Sequence, residues 1–124
     1  MNDNKHKVVV GADDNPSNLK LMEMALRANG YTFFGAKNGV ECVELAYKIQ
    51  PRLFLLDVQM PGIDGFETCR RIRTVTELKT VPVLFVTACN TRDEVARAMQ
   101  VGGNDFLVKP ITASKLMDRV NHWL

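Results

Sequence analysis

A chain of 124 residues, 46% hydrophobic and 24% charged, has room for one sizeable core and is too short for two domains. A formal charge of +2 argues against direct nucleic-acid binding, and the one local basic cluster, Arg70, Arg71 and Arg73, reads as a solvated helix face. Residues 1–6 read as a flexible polar leader without a signal region, and no apolar run reaches the length of a membrane span, so a cytoplasmic domain with no membrane attachment is expected.

In chain order, Val8 to Val10 reads as a strand leading to Asp13 and Asp14. Gly11 and Ala12, small residues ahead of the acidic pair, predict a locally loosened strand. Asn15 is the expected N-cap of a first helix with Pro16 in its first turn, Leu19, Met22 and Leu26 on its inner face, and Asn29-Gly30 as its stop. Strand two is expected over Tyr31 to Ala36, and a second helix runs from Asn38-Gly39 to just before Pro51.

Leu53 to Leu56 forms the third apolar run and ends at Asp57. The turn-rich loop Met60-Pro61-Gly62-Ile63-Asp64-Gly65 then delivers a helix carrying Phe66, Cys69 and Ile72. Pro82 starts strand four, Val83 to Val86, which ends at Thr87. Thr91-Arg92-Asp93-Glu94 has the form of a capping box for a fourth helix that stops at Gly102-Gly103. Phe106 to Val108 forms the fifth strand and ends at Lys109-Pro110, and the last helix shows Ala113, Leu116, Met117, Val120 and Leu124 as its core stripe.

Strand and helix signals alternate five times, which predicts βαβ units on a parallel sheet. The fold class is therefore α/β: a flavodoxin-like, doubly wound, five-stranded sheet of order 2-1-3-4-5 with five helices and a topological switch between strands one and three. Asp13, Asp14, Asp57, Thr87 and Lys109 all fall at the carboxyl edge of that sheet, where open α/β sheets bind ligands.

Three carboxylates in one crevice repel one another and call for positive charge. A hard divalent cation such as Mg2+ suits them, because it accepts one or two carboxylates and leaves room for phosphate oxygens. Lys109 adds a fixed cation that can pair with Asp57 and later with a phosphoryl oxygen, and Thr87 adds a hydroxyl donor. A carboxylate neutralised in this way can attack phosphorus and form an aspartyl phosphate, and Asp57 suits that role as the end of the central strand. Gly62 and Gly65 let the following loop turn closely, and Ala88 keeps the approach to Thr87 open.

Asp13-Asp14-Asn15-Pro16, Asp57-Val58-Gln59-Met60-Pro61-Gly62-Ile63-Asp64-Gly65, Thr87-Ala88 and Lys109-Pro110, in that order and at those spacings, make the chain resemble the receiver domain of bacterial two-component response regulators over essentially its whole length. The resemblance implies that Asp57 is the phosphoacceptor. It also implies that Asp14, Asp57 and the Gln59 backbone carbonyl surround Mg2+, with Asp13 acting through water, and that the Lys109-Pro110 peptide is cis. Phe106 takes the place of a switch aromatic, without a hydroxyl. The implied phosphodonor is a sensor histidine kinase or a histidine phosphotransfer protein, with the domain catalysing the transfer to itself and losing the group slowly by hydrolysis. The implied output is a changed face of the fourth helix, fifth strand and fifth helix that binds a downstream effector or a second copy. A stand-alone regulator and a receiver within a longer regulator or hybrid kinase both stay open.

Other functions fit less well. An FMN protein would place a Gly-, Ser- or Thr-rich loop after the first strand, where this chain has two aspartates. A phosphatase of the haloacid-dehalogenase class would place an acid at position 59, which is Gln. A receiver-like interaction module that works without phosphorylation is the serious alternative, opposed by the intact Asp14, Asp57, Thr87 and Lys109. Cys42, Cys69 and Cys89 are odd in number and match no metal-ligand spacing, so they read as reduced structural thiols, with Cys89 near the site as the one redox candidate. His6 and His122 lack partner patterns.

Overall fold

The computed structural model describes residues 7–88 and 91–124. Five strands, β1 (Val8–Ala12), β2 (Thr32–Ala36), β3 (Leu53–Asp57), β4 (Val83–Thr87) and β5 (Asp105–Val108), alternate with five α-helices, α1 (Pro16–Ala28), α2 (Gly39–Ile49), α3 (Gly65–Arg73), α4 (Arg92–Gln100) and α5 (Ala113–Trp123). The sheet is parallel throughout and its order is β2-β1-β3-β4-β5, as the sequence predicts. A short 3-10 turn at Thr76–Leu78, which the sequence reading missed, connects α3 to β4.

Every α-helix begins on a side-chain cap. Asn15, Asn38, Asp64, Thr91 and Thr112 each accept a backbone N–H two or three residues ahead, satisfying donors that a helix start leaves open. The caps lie just past the carboxyl ends of the strands, so the same short loops that start the helices also carry the polar residues of the sheet edge.

Residues alternate across the sheet into two cores. Val10, Phe54, Leu56, Val83 and Phe85 pack on one side with Cys42, Phe66, Cys69, Ile72 and Ala98 from α2, α3 and α4. Val9, Leu53, Leu55, Leu84 and Val86 pack on the other with Met22 and Leu26 of α1 and Leu116, Met117 and Val120 of α5. Because β3 and β4 are covered on both faces, their sequence is apolar without alternation.

Several expectations need correction. Gly11 does not loosen β1, because a side chain there would collide with the Phe33 ring and crowd the Met22 sulfur: these two fill the space that the glycine leaves. Ala113 and Leu124 are exposed, and the α5 stripe is instead completed by buried Ile111 and half-buried Trp123. Strand β2 starts at Thr32, and Tyr31, ahead of it, donates its hydroxyl to Asn121 at 2.9 Å. The leader with His6, and Cys89, lie outside the described residues.

The basic cluster divides. Arg70 and Arg71 both bond Glu67, and those bonds hold its carboxyl down at about 2. Arg73 is not a solvated charge. Its guanidinium donates to the carbonyls of Leu78, Val81 and Gly102 and to Asn104 Oδ1, and its burial lowers its pKa. The Cys42 and Cys69 thiols are buried, which pushes them up to about 12 and about 11 despite the nearby Arg73 charge on Cys69. Both are therefore protonated, unreactive thiols at neutral pH.

Candidate functional site

The strand register levels the polar residues at one edge. Ala12 pairs with Leu56, Asp57 with Val86 and Thr87 with Val108, so the residues that end or follow these strands meet above the centre of the sheet. Two backbone bonds hold the edge together, Val58 N–H to the Val86 carbonyl at 3.1 Å and Lys109 N–H to the Thr87 carbonyl at 2.8 Å. The Lys109-Pro110 peptide is cis.

Asp13, Asp14 and Asp57 offer ligand oxygens that all lie within 4.8 Å of one another. Their environments differ. Asp13 is fully buried and occupied: its carboxylate accepts the Asn15 N–H at 2.9 Å and the Asn18 side-chain amide at 3.1 Å, and sits 3.5 Å from Lys109 Nζ. Asp14 is exposed, with its carboxylate open to solvent. Asp57 is 3% exposed and accepts a hydrogen bond from Lys109 Nζ at 3.1 Å. Burial first, and then the charge of Asp13, push its carboxyl up to about 6 against the opposing pull of Lys109 and the Gln59 amide. A carboxyl raised while it holds a lysine reflects its burial first and the neighbouring Asp13 charge second. The donor set, three carboxylates partly balanced by one ammonium, fits a hard divalent cation.

The loop after Asp57 is shaped by two glycines. Gly62 takes φ +82°, a conformation other residues avoid, in open space. Gly65 serves closeness instead: its N–H bonds the Val58 carbonyl at 2.8 Å, and a side chain there would run into the carbonyl of Asp57. The start of α3 can therefore lie directly against the backbone of Asp57. Together with Glu94 and Arg97 of α4, this loop lines a cleft of about 550 Å³ beside Asp14 and Gln59. Ala88 is exposed beside Thr87, as expected of an open approach.

Thr87 is 2% exposed, and its hydroxyl donates to Glu94 Oε1 at 3.2 Å. The sequence assigns Glu94 only to a helix cap, and that half is present: its N–H bonds Thr91 Oγ1 at 3.3 Å. Its carboxylate reaches into the site as well, which local spacing does not reveal. Phe106 is half-buried with its ring centroid 6.0 Å from that of Phe85, and Phe85 is 5.1 Å from Phe66, over which the Arg97 guanidinium sits at 5.0 Å. A row of rings thus runs from β5 under the site to α4.

Known proteins are similar to the chain in sequence and fold. The chain is 31% identical over 118 residues to the polar-differentiation response regulator DivK of Brucella anthropi, covering 95% of this chain and 96% of that protein. It is 35% identical over 112 residues to the response regulator PleD of Caulobacter vibrioides, where it covers 90% of this chain and spans about a quarter, 25%, of the relative's length. The chemotaxis protein CheY4 of Vibrio cholerae superposes with a TM-score of 0.92 at 27% identity, over 94% of this chain and 98% of that one. The signal receiver domain of a histidine kinase from Syntrophus aciditrophicus superposes at 0.86 and 29% identity, over 95% and 89%. A family model described as the response regulator receiver domain matches residues 9–121, and the chain belongs to that family of two-component signalling domains.

Proposed function

We propose that this domain takes a phosphoryl group onto Asp57 from a phosphohistidine of a sensor histidine kinase or a histidine phosphotransfer protein, with Mg2+ as its cofactor. The observation that carries the reading is the meeting of Asp13, Asp14 and Asp57 within 4.8 Å at the sheet edge with Lys109 3.1 Å from Asp57. A carboxylate oxygen of Asp57 forms the bond to phosphorus as the bond to the donor imidazole breaks, and the imidazole leaves with a proton. Asp14, Asp57 and the Gln59 backbone carbonyl would hold the metal directly. Asp13, already engaged by Asn15, Asn18 and Lys109, would act through water. When bound, Mg2+ supplies charge that offsets the transferring group. Lys109 pairs with Asp57 at rest and with a phosphoryl oxygen afterwards, while Thr87 donates its hydroxyl to another.

The domain works as a switch with self-catalysed phosphorylation and slow hydrolysis, not as an enzyme with an external substrate. Val95, Met99 and Val108, exposed on α4 and β5, support a binding face for an effector or a second copy formed by α4, β5 and α5. Among the described residues no helix is long and apolar enough to cross a membrane; the cytoplasm, where a sensor kinase presents its phosphohistidine, is the proposed place of action. Intact-mass measurement after acetyl phosphate tests the reading: one phosphoryl group is expected on the parent with magnesium and none on Asp57→Asn. Undiminished labelling of Asp57→Asn overturns the assignment, and no uptake by the parent favours an interaction module that works without phosphorylation.

A further inference from the structure

We propose that Glu94 is the resting acceptor of the Thr87 hydroxyl, a positioning residue that latches α4 to the site until a phosphoryl group on Asp57 takes the same donor. The inference rests on the reading of Asp57 as phosphoacceptor. A threonine hydroxyl has one proton and cannot donate to a carboxylate and a phosphoryl oxygen at once. Thr87 is buried at the end of β4, next to the strand that ends in Asp57, and its hydroxyl lies 3.2 Å from Glu94 Oε1 as a donor to it. The acceptor is charged, but 3.2 Å is long for an O–H···O bond, so the latch is a modest one that a closer acceptor can outcompete.

Phosphorylation acts on Glu94 twice. It withdraws the Thr87 donor, and by turning the Asp57 carboxylate into an acyl phosphate dianion it adds about one further negative charge to a cleft that Glu94 itself lines. Both effects push the first turn of α4 away from the site. The other end of the helix is tied down: Arg73 Nε and Nη2 hold the Gly102 carbonyl at 3.1 and 2.7 Å, and the Cys69 thiol donates to the Val101 carbonyl at 3.3 Å. Helix α4 is therefore latched at its start and pivoted at its end. Between them Arg97 faces Phe66 and stands 3.8 Å from Asp64, a contact able to slide as the start swings out.

A latch that stabilises only the resting state opposes phosphoryl binding, so its removal tightens that binding. Beryllium fluoride with magnesium, which mimics a phosphoryl group on a carboxylate, is titrated into isotope-labelled protein and followed by NMR. Glu94→Ala removes the acceptor and is expected to bind roughly three- to tenfold more tightly than the parent, whereas Glu94→Gln removes the charge but keeps an amide oxygen able to accept the Thr87 proton, and should gain less. Asp93→Asn removes an exposed charge from the same turn and should change affinity less than about twofold. In a Thr87→Ala background the gain from Glu94→Ala should shrink, leaving only the part due to the Glu94 charge.

Equal affinity of Glu94→Ala and the parent, an equal gain from Asp93→Asn, or an undiminished gain in the Thr87→Ala background overturns the latch while leaving the phosphoacceptor assignment standing. A parent that binds no beryllium fluoride and takes up no phosphoryl group overturns the reading of Asp57, and the latch with it.

Discussion

Lys109 Nζ reaches Asp57 Oδ1 at 3.1 Å from a loop two strands away, passing over the end of β4. It also lies 3.5 Å from Asp13 Oδ2, so one ammonium balances two buried carboxylates. Burial works against its charge, but the Asp57 hydrogen bond and the two carboxylates outweigh that and raise its pKa. Lys109→Met should therefore destabilise the metal-free domain by about 1–3 kcal/mol, less than for a fully enclosed pair because the lysine is partly solvated. Magnesium should restore most of the loss by binding only the folded state. Thermal unfolding with and without the metal measures both, and an unchanged melting temperature would count against the balancing role.

The raised carboxyl of Asp57 gives a pH dependence with a definite sign. Its folded value of about 6 lies above the ordinary value of 3.8, so the fold favours the protonated form. The stability this contributes is complete below the ordinary value and is lost as pH rises through about 6. Asp57→Asn cannot ionise and escapes the loss. Without metal it should be more stable than the parent at pH 7.5 by up to about 3 kcal/mol, less what the lost Lys109 pairing costs, with the difference shrinking as pH falls toward 4. Saturating magnesium should erase or reverse the gain. Melting curves across that range decide the matter, and a variant less stable than the parent at pH 7.5 would contradict the cost assigned to ionising a buried carboxyl beside Asp13.

The two acidic neighbours should separate in their effects. Asp14 is exposed, so Asp14→Asn should weaken magnesium binding about tenfold or more with little change in melting temperature. Asp13 accepts the Asn15 amide and the Asn18 side chain and faces Lys109, so Asp13→Asn should cost on the order of 1–3 kcal/mol of stability. Calorimetric titration and thermal unfolding of the pair test this division, which equal metal affinity of Asp14→Asn and the parent would remove.

The strands and the polar residue at each strand end were legible because both are local: an apolar run, a polar stop and a turn lie within a few residues of one another. What escaped was decided by reach across the fold. Arg73 sits beside Arg70 and Arg71 in sequence, yet its acceptors include Gly102 and Asn104, 29 and 31 positions away. Glu94 carries a cap signal that is correct and incomplete, since its carboxylate meets a strand end seven positions earlier. Gly11 signals a gap, but whether a gap is filled depends on the partner strand, here on Phe33. The α5 stripe failed at its ends, Ala113 and Leu124, where helical spacing continues after the sheet has stopped covering it.

Two glycines of one loop should respond differently. Gly62→Ala meets nothing in space and suffers only its positive φ, a cost of about 1–2 kcal/mol. Gly65→Ala drives a methyl group into the Asp57 carbonyl and the Val58 backbone, which cannot step aside without moving the end of β3. It should cost more than Gly62→Ala and should also slow phosphoryl uptake from acetyl phosphate, whereas Gly62→Ala should leave uptake near the parent's. Equal uptake by Gly65→Ala and the parent would show that the start of α3 does not set the position of Asp57.

Thr87 is where site and output separate. On the proposed reading, a phosphoryl group on Asp57 shifts the domain only through interactions that differ between its two states, and the Thr87 hydroxyl is one group whose partner would change. Thr87→Ala keeps Asp57, Lys109 and the acidic pair, so it should still accept a phosphoryl group, more slowly for want of one donor. Phe106 has no hydroxyl of its own, and its half-buried ring rests against Phe85 on the strand that ends in Thr87, so it can register the change only by packing. Without the Thr87 hydroxyl that strand end is not drawn toward Asp57, and the ring has no new space to enter. NMR of Thr87→Ala, compared with the parent at equal phosphorylation measured by mass, should show smaller shifts across α4, β5 and α5 with unchanged shifts around Asp14 and Gln59. Shifts of equal size on that face in both proteins would mean that the signal leaves the site by another route, through the charge on Glu94 or the loop that begins at Gln59.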